Sequence, residues 1–141
     1  MGIIKSFRDL DTWQVGMRLV EGVYETSAAF PDTERYGLIA QIRRAAVSIP
    51  SNVAEGQATR GSPWSLKHVR IAIGSLAEVE TQLELAFRLG FAARSSSERL
   101  LATIDDTRRL LYGVRRERER RLAADGGAVG LMLVLLVKTL S

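Results

Sequence analysis

The chain has 141 residues and no cysteine, with 46% apolar residues, 26% charged residues and a formal net charge of +4. That length suits one domain with a single hydrophobic core, and the composition argues against general disorder. The lack of cysteine excludes disulfide scaffolds, thiolate metal sites and cysteine nucleophiles, and it fits a reducing cytoplasm.

The N-terminus has no charged segment followed by an apolar run, so no secretory signal is expected. Gly2 followed by Ser6 matches an acylation pattern only loosely. The first helix is expected over about residues 9–29. There Leu10, Trp13, Met17, Val20 and Tyr24 recur at steps of three and four, which stacks them on one helical face. Phe30-Pro31-Asp32 ends it, since a proline disfavours helical backbone before it, and Asp32 is placed to cap the second helix.

Leu38, Ile42, Ala46, Ile49 and Val53 mark the second helix. Pro50 lies inside it, lacks a backbone donor and crowds the carbonyl of Ala46, so a kink is expected, with a short continuation that Gly56 ends. After a loop over residues 56–62, Ser62-Pro63 opens the third helix. Its stripe is Leu66, Val69, Ile73, Leu76, Leu83 and Phe87, and Gly90 stops it. Glu80 reads as a carboxylate on that stripe, in need of a partner. Ser95-Ser96-Ser97-Glu98 has capping-box spacing and opens the fourth helix, which carries Leu100, Ile104, Leu111 and Val114, with Thr107 interrupting the seam.

Short connections make successive helices antiparallel neighbours. The expected fold is therefore all-α: an antiparallel up-down-up-down four-helix bundle over residues 1–122, with a kinked second helix. A hinge at Asp125-Gly126-Gly127 then leads into an apolar C-terminal tail, the second unit spanning residues 123–141. The apolar run 128–137 is about half of what spans a bilayer, so a membrane role is not expected. Three readings stand for it: packing on the bundle or a neighbouring subunit, a poorly ordered extension, or membrane contact.

The polar residues give no enzyme. His68 is the sole histidine and has no triad or metal partners in the sequence, so it reads as a surface or interface residue. The Glu-x-x-His pattern of di-iron bundles is absent. Asp105-Asp106 point about 100° apart on a helix and suit solvent better than a shared ion. No phosphate loop, dinucleotide fingerprint or nucleophile elbow occurs, and no cofactor, metal or small-molecule substrate is indicated. A hairpin turning near residue 60 brings Arg43 and Arg44 level with Leu76 through Glu80. An arginine–carboxylate pair to Glu78 or Glu80 follows, either fixing register or joining subunits. A ligand pocket on Gln41, Arg43 and Glu80 is the alternative.

Charge is concentrated late in the chain. Residues 108–121 carry seven arginines against two glutamates, so nearly all the basic excess sits there. Arg108, Arg109, Arg115, Arg116, Arg118, Arg120 and Arg121 are candidate phosphate contacts. A solvated helix end, with Glu117 and Glu119 interleaved, is the other reading. Tyr112 is the one aromatic residue nearby, so stacking on single strands lacks support.

Several runs together carry a resemblance. They are Phe7-Arg8-Asp9-Leu10 with Trp13, Phe30-Pro31, Glu34-Arg35-Tyr36-Gly37-Leu38, Gln41 through Pro50, Asn52-Val53-Ala54-Glu55-Gly56, Ile71 through Leu76, Glu78, and Glu80-Thr81-Gln82-Leu83. The chain resembles, over about residues 7–121, the bacterial four-helix bundle family first noticed as the protein encoded by intervening sequences of 23S ribosomal RNA genes. Relatives include the accessory protein of diversity-generating retroelements. The resemblance implies an up-down bundle, a homopentameric assembly, association with RNA through a basic surface, and no enzymatic activity. Trp64-Ser65-Leu66 and Thr107 depart from the family pattern, and nothing from Leu122 onward matches it. In that context the ridge of Arg43, Arg44, Ser48, Asn52 and Glu55 is expected to face a neighbouring subunit. The working expectation is a non-enzymatic oligomeric scaffold associating with structured RNA. A self-assembly or protein-interaction module is the alternative.

Overall fold

The computed structural model describes residues 3–139. Gly2 of the acylation pattern and the last two residues of the tail lie outside them. Four α-helices occur: α1 Asp11–Ala28, α2 Leu38–Ala58, α3 Pro63–Arg88 and α4 Glu98–Thr139, and no strand is present among the described residues. Single 3-10 turns at Phe7–Asp9, Asp32–Glu34 and Arg94–Ser96 precede α1, α2 and α4.

Each helix end has a local cause. Ser6 and Asp9 form a reciprocal capping box on the 3-10 turn before α1, whose own N-cap, Leu10, offers no side-chain bond. At α2 the cap differs from the expected one. Asp32 sits in the 3-10 turn, and Glu34 Oε2 accepts from Leu38 N at 3.0 Å. Pro63 occupies the first turn of α3, but Ser62 turns its hydroxyl back to donate to Thr59 O at 2.8 Å. The other end of α3 closes in a Schellman motif. Gly90 takes a positive φ of 74°, Gly90 N donates to Phe87 O, and Phe91 N donates to Ala86 O. Before α4, Ser97 is buried and donates to Ala93 O at 2.8 Å.

Pro50 does not interrupt α2, which runs on through Gly56 to Ala58. Around the proline, side chains reach back onto the ladder: Ser51 Oγ donates to Val47 O and Asn52 Nδ2 to Ser48 O. The ring is buried against α1, where a Cβ at Gly16 would stand 3.4 Å from Pro50 Cβ. Glycine at 16 thus lets the two backbones approach.

Neighbouring helices pair as α1–α2, α2–α3, α3–α4 and α1–α4. Cross-helix contacts give their direction. Gly16 meets Pro50 and Ser27 meets Arg43; Ser48 meets Ser75 and Gly56 meets Ser65; Glu84 meets Arg94 and Ser65 meets Arg118. Numbers rise on one helix as they fall on the next, so the bundle runs up-down-up-down.

The core holds Leu19 and Val23 of α1, Ile42, Ala46 and Ile49 of α2, Leu76, Val79 and Leu83 of α3, and Leu100, Ile104 and Leu111 of α4. Every residue of the expected α2 stripe is buried. On α1 the face is rotated: Thr12, Val15, Gly16, Leu19, Val23 and Ser27 are inside, whereas Trp13, Met17 and Val20 flank it and Tyr24 is exposed. Trp13 is held at that flank by an edge-on contact with Phe7, at 5.5 Å between ring centroids. On α3 the place between Leu76 and Leu83 belongs to Val79, and Glu80 stands at the edge, half-buried. Thr107 does interrupt the α4 seam, fully buried with its hydroxyl donated to Thr103 O at 2.7 Å.

The expected hinge is helical. α4 continues through Asp125-Gly126-Gly127 without a break and carries the apolar run away from the bundle as one rod of about 60 Å. Each glycine costs a helix only about 1 kcal/mol, too little to stop propagation between two strong helix-forming stretches. The large aliphatic residues from Val129 to Val137 keep half or more of their surface exposed, so this segment does not pack on its own bundle. By length and composition alone, α4 holds an 18-residue stretch apolar enough to cross a membrane.

Candidate nucleic-acid interface and the polar seam

The α2–α3 seam is zipped by small polar side chains rather than by apolar knobs alone. Ser75 Oγ donates to Ser48 Oγ at 2.9 Å, and Asn52 Nδ2 reaches Ser48 Oγ at 3.0 Å. Further along, Asn52 Oδ1 lies 3.0 Å from His68 Nδ1, which also lies 3.2 Å from Glu55 Oε2. His68 is thus an interhelical bridge, with a side chain about one-fifth exposed. At the end of the seam Ser65 Oγ donates to Gly56 O at 2.8 Å and accepts from Arg118 Nε at 2.8 Å. Satisfied polar contacts of this kind fix the register of two helices more surely than they add stability. The ridge expected to face another subunit is therefore partly used inside the chain, at Ser48 and Asn52.

The expected pairing of Glu80 with Arg43 or Arg44 does not form. Glu80 pairs with Arg108 of α4, whose guanidinium also takes Asp105 Oδ1 at 2.5 Å. The hydrogen bond to Asp105, with Glu80 beside it, holds the Arg108 pKa above its ordinary value. Arg43 turns the other way, donating to Ser27 Oγ at 2.8 Å and stacking 4.4 Å above the Tyr24 ring. Glu80 faces α4 and Arg43 faces α1, so the two never meet. Arg44 and Glu78 are exposed, and neither enters an ion pair among the described residues.

The seven arginines of α4 divide by face. Arg118 is 8% exposed and bonds Ser65 and Glu117, so it is not a free phosphate contact. Burial pushes its pKa below the usual guanidinium range, with Glu117 opposing that and the Arg60 and Arg121 charges adding to it. Its position was readable: 100, 104, 107, 111, 118 is one heptad-like face, and Arg118 falls on it. Arg108 is likewise taken up by Glu80. Arg115 stacks over Tyr112 at 4.5 Å, Arg121 pairs with Glu117, and Arg109 pairs with Asp106. Arg116 and Arg120 are exposed and enter no ion pair among the described residues. Arg109, Arg116 and Arg120, at spacings of seven and four, share the outer face of α4.

A second charge cluster ties α3 to the loop before α4. Glu84 pairs with Arg88 at 3.2 Å and with Arg94, which also caps the Phe87 ring at 4.8 Å. The Arg88 hydrogen bond holds the Glu84 carboxyl below its ordinary 4.5; desolvation opposes this, and the hydrogen bond and charge of Arg94 add to the lowering. Its folded pKa is lowered, so its contribution is complete above the unfolded value and disappears as pH falls through the lowered folded one. Melting curves of the protein and of Glu84→Gln should therefore differ slightly at neutral pH, since the pair is exposed, and draw together as pH falls below the ordinary 4.5. A gap that persists at low pH would contradict this assignment.

The fold and its polar seam define a small helical bundle, with no cluster of three or more metal-ligating side chains among the described residues. The family described as 23S rRNA-intervening sequence protein matches residues 8–113, three-quarters of the chain, and the chain belongs to that family. No curated protein matches it. The match covers Arg108 and Arg109 but ends before Arg115.

Proposed function

We propose that the protein is a non-enzymatic, oligomeric bundle scaffold that associates with structured RNA through the outer face of α4. The observation that carries this is the ladder of Arg109, Arg116 and Arg120 on one solvent face of a rigid helix, with Arg116 and Arg120 left without ion pairs among the described residues. Their backbone positions are about 10 and 6 Å apart along the helix axis, a spacing suited to successive phosphates. The family's association with ribosomal RNA genes supports a nucleic-acid setting.

Binding of an RNA hairpin, followed as salt rises from about 50 to about 200 mM, tests the reading. Three phosphate contacts give a log–log slope between about −2 and −3, and Arg116→Ala with Arg120→Ala reduces its magnitude by about 2. Weaker, less salt-dependent binding by the double variant with an unchanged melting curve is the expected result. No binding at low salt, or a slope indifferent to the two substitutions, overturns it.

One observation favours a self-assembly module instead. Arg44 of α2 and Glu78 of α3 lie exposed, as do Val47 and Ile71 on the same two helices. An oligomer that light scattering detects, that Arg44→Glu dissociates, and that ignores RNA at low salt would select that reading.

A further inference from the structure

At the end of the bundle where α1 and α3 begin and α2 finishes, the four helices do not close on one another. They leave a cavity of about 190 Å³. Its apolar wall comes from Leu10 just before α1, Val53 of α2, Val69 of α3, and Leu111 and Val114 of α4, with Ile4 of the N-terminal segment beside them, and α1 adds Thr12. The polar wall is cationic, with Arg60 and Arg118 set against the single carboxylate of Glu117.

Arg118 is unusual in its position. A guanidinium with a side chain only 10% exposed is costly to bury, and one half-buried carboxylate, Glu117, stands against it. Nε is bonded to Ser65, one terminal nitrogen to Glu117, and the other lies 3.5 Å from Gln57 Oε1. Those contacts account for three of its five N–H groups. Arg60 is exposed, has no ion pair among the described residues, and adds positive potential at Arg118. The site thus holds a surplus of positive charge at one wall and aliphatic carbon at the other.

We propose that this cavity binds a small organic monocarboxylate, its apolar body among Val53, Val69, Leu111 and Val114 and its carboxylate facing Arg118 and Arg60. Size and chemistry both select that class. An apolar protein cavity of about 150 Å³ accepts benzene, so the body is about six to eight carbons. Inorganic phosphate would leave its oxygens against aliphatic walls, at a high desolvation cost. A neutral hydrocarbon would leave the arginine charge uncompensated. A carboxylate matches the planar guanidinium fork and offsets the surplus charge. The site uses none of the outer arginines, so it stands whether or not the chain associates with RNA.

Calorimetric titration of the full chain with benzoate and hexanoate tests the proposal, with benzyl alcohol as the uncharged isostere. Saturable binding of one acid is expected, with benzyl alcohol at least tenfold weaker. Arg60→Gln, a change at an exposed residue, weakens the acid about tenfold, and Val114→Phe abolishes it by filling the cavity. Circular dichroism reports whether each variant remains helical, so lost binding is separated from lost folding. Three results would overturn the site: no saturation, equal binding of the acid and the alcohol, or binding that survives Val114→Phe in a folded variant.

Discussion

Replacing Leu76 with alanine lowers the unfolding free energy by about 2–5 kcal/mol, the range for emptying a buried leucine. Leu76 is 2% exposed at the middle of α3, within the same cluster as Ile42, Ile49, Val79 and Leu83. Its neighbours are held on helices whose spacing is fixed by the Ser48–Ser75 bond one residue away, so the walls have little freedom to collapse. A domain of this size has about 5–15 kcal/mol in total. The loss is therefore a large fraction, and it moves the thermal midpoint down by roughly 6–15 °C. Chemical denaturation measures it directly. A loss below about 1 kcal/mol with an unchanged denaturant slope would mean that Leu76 is not at a packed centre.

Gly56→Val is the second large effect, through crowding rather than a void. A Cβ at this position would lie 3.4 Å from His68 Cβ and 3.4 Å from the backbone oxygen of Ser65, so α2 and α3 cross here at close range. The γ carbons of valine have no room without moving α3. Overpacking of this kind costs about 1–3 kcal/mol, and here it also pulls on the bond from Ser65 to Gly56 O that anchors Arg118. Gly56→Ala should sit near neutral, its helix-propensity gain of about 1 kcal/mol offset by the tight contact. Gly74 is the control, because nothing lies within 4 Å of a Cβ placed there. Gly74→Ala should stabilise by up to about 1 kcal/mol. Equal responses at 56 and 74 would rule out the close crossing.

The helices and their order were legible because α-helical periodicity writes itself into sequence at steps of three and four. The α2 stripe of Leu38, Ile42, Ala46, Ile49 and Val53 is buried throughout. On α1 two apolar stripes compete, and the wider one, with Trp13 and Tyr24, loses the core to the slimmer Val15, Leu19 and Val23. Gly16 lies on the winning face and packs against the buried Pro50 ring. The candidate site was legible only in outline. A run of arginines signals charge, but not which of its members turn inward. Arg118 bonds Ser65, 53 residues earlier in the chain, and Arg108 pairs with Glu80, 28 residues earlier.

By itself, the sequence determined the four helices, their antiparallel order and their membership of the 23S rRNA-intervening sequence protein family. It did so because helix periodicity, the proline at the start of α3 and the glycine after it are local signals, and the family motifs are contiguous. Tertiary structure alone decided which charged groups are consumed inside the bundle and which remain outside, since each partner comes from a distant turn of another helix. It also decided that the Asp125-Gly126-Gly127 segment is helix and not hinge: cooperative propagation from Glu98 onward outweighs the preference of two glycines.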